Sequence, residues 1–182
     1  MIRIFAAMFS GAFRLTAVLR HIVLLLLLAA PLAAQTSEPL LRLTLPGDTS
    51  PRLISRDDLL ALPQQRFVTA TIWTEGVVAF EGPTLHDLLA AQGITADPQT
   101  PLTARLVALN HYFVDMPVTE ATPEAPILAL TRDGVALTAR DKGPLWVVYP
   151  YDADRAYRSE VIYARSIWQL TEILVMPAAP AR

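Results

Sequence analysis

The sequence predicts one α+β domain, mostly β, with two short helices set between strands. Three observations predict it. Short segments rich in Val, Ile, Thr and aromatic residues recur from Leu40 to Val175, bounded by Pro, Gly and Asp. Only two stretches combine a capping residue with helical spacing of leucines. No internal repeat and no second run of domain length interrupts the pattern.

The first segment lies outside that domain. Arg3, Arg14, Arg20 and His21 precede the apolar run Ile22–Ala30, and small residues follow in Pro31-Leu32-Ala33-Ala34-Gln35. A charged region, a short apolar region and a small-residue cleavage site make a secretory signal. We therefore expect residues 1–34 to be removed and residues 35–182 to form the domain. Leu32 departs from the small residue preferred there, and Met8 offers an alternative start. An uncleaved anchor would need about 20 apolar residues, more than the run from Ile22 to Ala34 supplies. No two arginines are adjacent, which points to the general secretory route. The expected location is periplasmic, with no membrane span left after cleavage.

The elements follow in order. Leu40–Leu45 alternates around Arg42 and Thr44 as a strand. Ser55 caps a helix with Asp58 three residues on, Ile54 and Leu59 form a staple, and Pro63 stops it. Leu59, Leu60 and Leu62 are its expected buried face. Phe67–Trp73 and Val77–Phe80 are strands. Thr84 caps the second helix with Asp87, its buried face is Leu85, Leu88 and Leu89, and Gly93 ends it. Ala104–Asn110, Tyr112–Met116 and Ile127–Thr131 are strands, and Asp133-Gly134 turns a hairpin into Val135–Leu137. Leu145–Tyr149, apolar throughout, reads as a central strand, and Ser166–Val175 as the closing one.

Composition narrows the function. Removing residues 1–34 leaves 12 basic and 17 acidic residues, a net charge of −5. Such a surface repels nucleic-acid phosphates. There is no cysteine, so neither a disulfide nor a lipid attachment site is available. His86 and His111 stand outside any metal-ligand spacing. The nucleophile elbow, the P-loop and the dinucleotide fingerprint are all absent. Asp57/Asp58 open a helix, where the dipole favours acids, and Asp152/Asp154 lie in a loop.

One stretch stands apart: Arg140-Asp141-Lys142-Gly143-Pro144-Leu145-Trp146, leading through Tyr149 to Tyr151 and Asp152. Lys142 is the sole lysine. Charged residues enter a buried strand and aromatic ones leave it, and loops at strand ends commonly carry sites. A solvated turn with a surface ion pair would account for the same residues.

Several segments together resemble the sulfite-oxidase fold, the oxidoreductase molybdopterin-binding domain. Phe80-Glu81-Gly82-Pro83-Thr84-Leu85-His86-Asp87-Leu88-Leu89 is similar to its W-x-G-x-x-L-x-x-L-L segment. Asp133–Leu137 with Gly143–Pro150 resembles its N-G-x-x-L…G-x-P-x-R-x-x-x-P stretch, and Ser166–Val175 its closing strand. The pieces keep the family's order over Leu53–Val175. The chain also resembles small exported bacterial proteins of this fold that carry RDKGPLW-x-x-YPYD. The resemblance implies a mixed-sheet, barrel-like fold and a molybdopterin cofactor.

Two departures weigh against that cofactor. Enzymes of the family hold molybdenum through a cysteine thiolate before the W-x-G segment, whereas Val68–Glu75 here offers Thr69, Thr71, Trp73 and Thr74. A threonine hydroxyl cannot supply the soft, deprotonated sulfur donor. The family's arginine in G-x-P-x-R is Trp146 here. The leader adds a third objection, because a chain threaded unfolded through the membrane carries no cofactor with it. We thus expect a non-catalytic periplasmic module that binds a small ligand or a partner sensor or redox protein, with a link to signalling. Its expected lining is Trp73, Asn110, Tyr112, Arg140, Lys142, Tyr149, Tyr151 and Asp152, with Arg140 and Lys142 fixing an anionic group. The alternatives are a molybdopterin-dependent oxidoreductase without the thiolate, and an accessory subunit docking a redox complex through an exposed apolar patch.

Overall fold

A computed structural model of the chain describes residues 38–179; the leader reading falls outside them. Eleven strands form three sheets among these residues. The largest is built from β1 (Pro39–Thr44), β2 (Arg52–Ser55), β5 (Leu102–Ala108), β6 (Phe113–Pro117) and β11 (Leu170–Pro177), in the order β2-β1-β11-β5-β6. It is mixed: β1 runs parallel to β11, and the other neighbours are antiparallel. Alternation sets its faces, since Leu41 and Leu43 of β1, Ala104 and Leu106 of β5 and Ile173 of β11 point into the core.

A four-stranded sheet joins β3 (Gln64–Ala70), β4 (Val77–Pro83), β8 (Thr131–Arg132) and β9 (Val135–Ala136). The turn between β8 and β9 is the predicted one: Asp133 and Gly134 both take positive φ, +50° and +76°. The third sheet pairs β7 (Ile127–Ala129) with β10 (Trp146–Val148), and all six of these residues are buried. This explains the unbroken apolar run at Leu145–Tyr149. The run is central by burial but has only β7 as a paired strand.

The backbone passes closest to itself at Gly82. A Cβ placed there would lie 2.0 Å from the carbonyl oxygen of Leu128, so no other residue lets β4 pass β7. Helix α1 (Arg56–Leu60) starts with the expected reciprocal cap, Asp58 N donating to Ser55 Oγ and Ser55 N to Asp58 Oδ2. Helix α2 (Leu85–Ala91) is capped by Thr84 Oγ1 accepting from Asp87 N, and it buries Leu85, Leu88 and Leu89.

Three expectations are corrected. The strands do not close into a barrel among the described residues: the five-stranded sheet ends in β2 and β6, and β6 runs into Pro117 and a 3-10 turn at Val118–Glu120. A third helix, α3 (Glu160–Arg165), was not expected, and the closing strand runs over Leu170–Pro177 because Trp168 makes only an isolated bridge and Gln169 takes positive φ, +52°. Helix α1 buries only Leu59; Leu60 is half exposed, because one and a half turns present a single residue to the core. Among the described residues, no helix is long and apolar enough to cross a membrane.

Candidate functional site

The site is built where the ends of several elements converge. Strand β3 exits into a tight turn in which Trp73 N donates to Thr71 Oγ1 at 3.0 Å, and the Thr71 and Thr74 hydroxyls meet at 2.9 Å. That turn presents the indole of Trp73. The exit is latched from behind by Asp152, whose Oδ2 accepts from Ala70 N at 2.6 Å. Asp152 N donates in turn to the buried Thr69 Oγ1 at 3.0 Å, and Arg158 pairs with Oδ1. The Ala70 N–H, with the Arg158 guanidinium beside it, holds the Asp152 carboxyl below the ordinary carboxylate range.

The opposite wall comes from α3 and the segment before β11. Tyr163 projects from α3, and Trp168 forms an isolated bridge to Trp146. Ser166 is held at both ends: its Oγ accepts from Tyr151 Oη at 2.6 Å and donates to Ile162 O at 2.7 Å, while its carbonyl accepts from Trp146 Nε1 at 3.2 Å. The turn from β5 to β6 closes the rim. His111 takes positive φ there, and Asn110 Oδ1 accepts from Tyr112 N at 3.1 Å.

Between these walls lies a cleft of about 290 Å³, lined by Trp73, Asn110, Tyr112, Tyr163, Ser166 and Trp168 with Ala108, Ala164 and Ile167. Two of the chain's three tryptophans line it, and the third, the buried Trp146, packs against both. Trp73 contacts Trp168 at 5.5 Å, Tyr163 at 5.8 Å and Trp146 at 6.0 Å between ring centroids, each edge to face. Such contacts fix the rings, since the positive edge of one meets the negative face of the next. Behind them Lys142 places its ammonium 4.7 Å over Trp168 and 5.8 Å from Trp146, a cation–π contact. The backbone makes that position: Lys142 has φ +68°, its carbonyl accepts from Gln169 N at 2.9 Å, and Gln169 Nε2 donates to Ala139 O.

A second concavity of about 250 Å³ lies beside α1 and α2. Its polar groups are already committed, Arg52 to Asp48 and Gln92 and Asp58 to Ser55. They leave little for a ligand to recognise.

The eight residues singled out by sequence divide into three groups. Trp73, Asn110 and Tyr112 line the cleft, and Lys142 stands against its Trp168 wall. Tyr149, Tyr151 and Asp152 lie behind it: both tyrosines are buried, and Asp152 serves as the latch just described. Arg140 is exposed on the 3-10 turn Ala139–Asp141. Burial pushes the Tyr151 phenol up to about 12 and the Tyr149 phenol further still. Tyr163, Ser166 and Trp168 complete the cleft and were not in the sequence-based set. The signal for them was the Ser159 cap, with Glu160 in the first turn and Arg165 in the last, which marks α3.

The residues do not fit a thiolate-held molybdenum. The chain has no cysteine, and the Thr69, Thr71 and Thr74 hydroxyls are spent on hydrogen bonds within the protein. Trp146, where the resemblance places an anion-binding arginine, is buried with its N–H donated to Ser166 O. Among the described residues, no three His, Cys, Asp or Glu side chains cluster as metal ligands.

These features define an α+β protein with an aromatic cleft at the ends of its strands. Among solved structures, the chain is similar to the sulfane dehydrogenase SoxCD from Paracoccus pantotrophus, with a TM-score of 0.56 at 18% identity. The match covers 84% of this chain and 41% of that one, so this chain spans less than half of its length. No family model and no curated protein matches the sequence.

Proposed function

We propose that this chain is an exported, non-catalytic binding module of sulfite-oxidase-like fold, which holds a small ligand in the cleft between Trp73 and Trp168. One observation carries the reading. The cleft joins an aromatic lining to a few polar groups on a packed scaffold, the usual composition of a small-molecule site. The leader supports a periplasmic setting. The absence of a cysteine thiolate argues against carrying over the redox chemistry of the sulfane dehydrogenase. The test is to purify the protein from its native source and measure molybdenum by mass spectrometry and pterin by fluorescence. Neither is expected, and stoichiometric metal overturns the reading.

A second reading, a docking subunit of a redox or signalling assembly, draws on the rim. Leu109, Tyr112 and Phe113 are exposed by 55%, 51% and 51% at the β5–β6 hairpin, next to the cleft. A partner that co-purifies with the native protein and is lost from Phe113→Ser would favour it.

A further inference from the structure

We infer that the cleft is selective for a planar aromatic ring carrying a carboxylate. The inference rests on the small-ligand reading and names the class of ligand. Three features carry it. First, Trp73, Tyr163 and Trp168 supply ring walls at fixed, nearly perpendicular angles, 85° between the tryptophans and 89° between Trp73 and Tyr163. A flat ring meets either a face or an edge on every side. At about 290 Å³ the cleft stands at the small end of ligand sites, room for one or two fused rings.

Second, the cleft offers free hydrogen-bond donors and no carboxylate. The indole N–H groups of Trp73 and Trp168 have no partner among the described residues, in contrast to Trp146. Asn110 spends its carbonyl oxygen on Tyr112 N, which leaves its NH₂ to face a ligand. No carboxylate lines the cleft. A ligand rich in acceptors matches this set.

Third, the charge at the wall is positive. The Lys142 ammonium lies over Trp168, and it is the lone lysine of a chain whose formal net charge is negative. A cationic ligand seated on these rings would be repelled by that ammonium across the Trp168 wall, although aromatic walls alone would suit it. An anionic group is attracted to it and accepts the free N–H bonds, which are stronger when the acceptor is charged.

Calorimetric titration with three probes that share one ring tests this: indole-3-acetate, its neutral amide and the cation tryptamine. The acetate is expected to bind about tenfold or more tightly than the amide, with tryptamine weakest. Lys142→Met should bring the acetate down to the level of the amide and leave the amide unchanged. Asn110→Asp keeps the acceptor for Tyr112 N and replaces the donor by an anion, so it should weaken the acetate and strengthen tryptamine. Both positions are at the surface or half-buried, and matching circular dichroism spectra verify the fold. Equal binding of all three probes, unmoved by Lys142→Met, overturns the charge selectivity while the small-ligand reading stands. No heat with any probe overturns both.

Discussion

Tyr149 shows how much one side chain behind the site matters. Its ring packs between Tyr151 and Tyr157, yet its hydroxyl is buried with no hydrogen-bond partner. An unpaired buried hydroxyl costs about 1–3 kcal/mol. Tyr149→Phe keeps the packing and removes the cost, so a thermal melt should shift upward by a few degrees. The same phenol and that of Tyr151 have pKa values raised by burial. Their contribution is whole below the unfolded value near 10 and is lost as pH rises beyond it, so alkaline unfolding should be blunted in Tyr149→Phe. Asp152 has the opposite sign. Its folded pKa lies below the ordinary 3.8, so its contribution is present above that value and lost as pH falls through the lower one. Acid titration of Asp152→Asn, followed by circular dichroism, should show a shallower loss of stability below about pH 4 than the parent. An unchanged acid limb would refute the latch.

The elements divide by how local their causes are. Helices α1 and α2 were legible because their caps are sequence-local: Ser55 with Asp58, and Thr84 with Asp87. The β8–β9 hairpin was legible because Asp-Gly tolerates two successive positive φ values. Helix α3 was missed because Val161, Ile162 and Tyr163 read as strand formers, and none of its residues is fully buried to mark a periodic face. That omission hid half of the cleft. Trp73, Asn110 and Tyr112 could be picked as aromatic or polar groups at strand ends, whereas Trp168 and Tyr163 join them only through pairing across the fold. Burial of Tyr149 and Tyr151 was equally invisible, since a tyrosine at a strand exit serves a core as readily as a surface. Packing between elements gives a sharp prediction. Gly82→Ala drives a methyl into the Leu128 carbonyl and should destabilise the protein by about 3 kcal/mol or more. Thr84→Ala, which removes only a cap, should cost about 1 kcal/mol in the same denaturant titration. Reversal of that order would mean that β4 can move away from β7.

At the scale of the molecule, a chain without cysteine takes its stability from burial, with no disulfide to support it. N-terminal sequencing of the exported protein should begin at Gln35; recovery of an intact leader in the mature protein would argue for an anchor instead. Strand β11, the last in chain order among the described residues, lies between β1, the first of them, and β5. Until Leu170–Pro177 has emerged, β1 and β5 have no common neighbour, and the five-stranded sheet exists only as separate hairpins. Pairing over such a sequence distance is intrinsically slow. The largest sheet therefore closes only when the two most distant segments of the described chain meet.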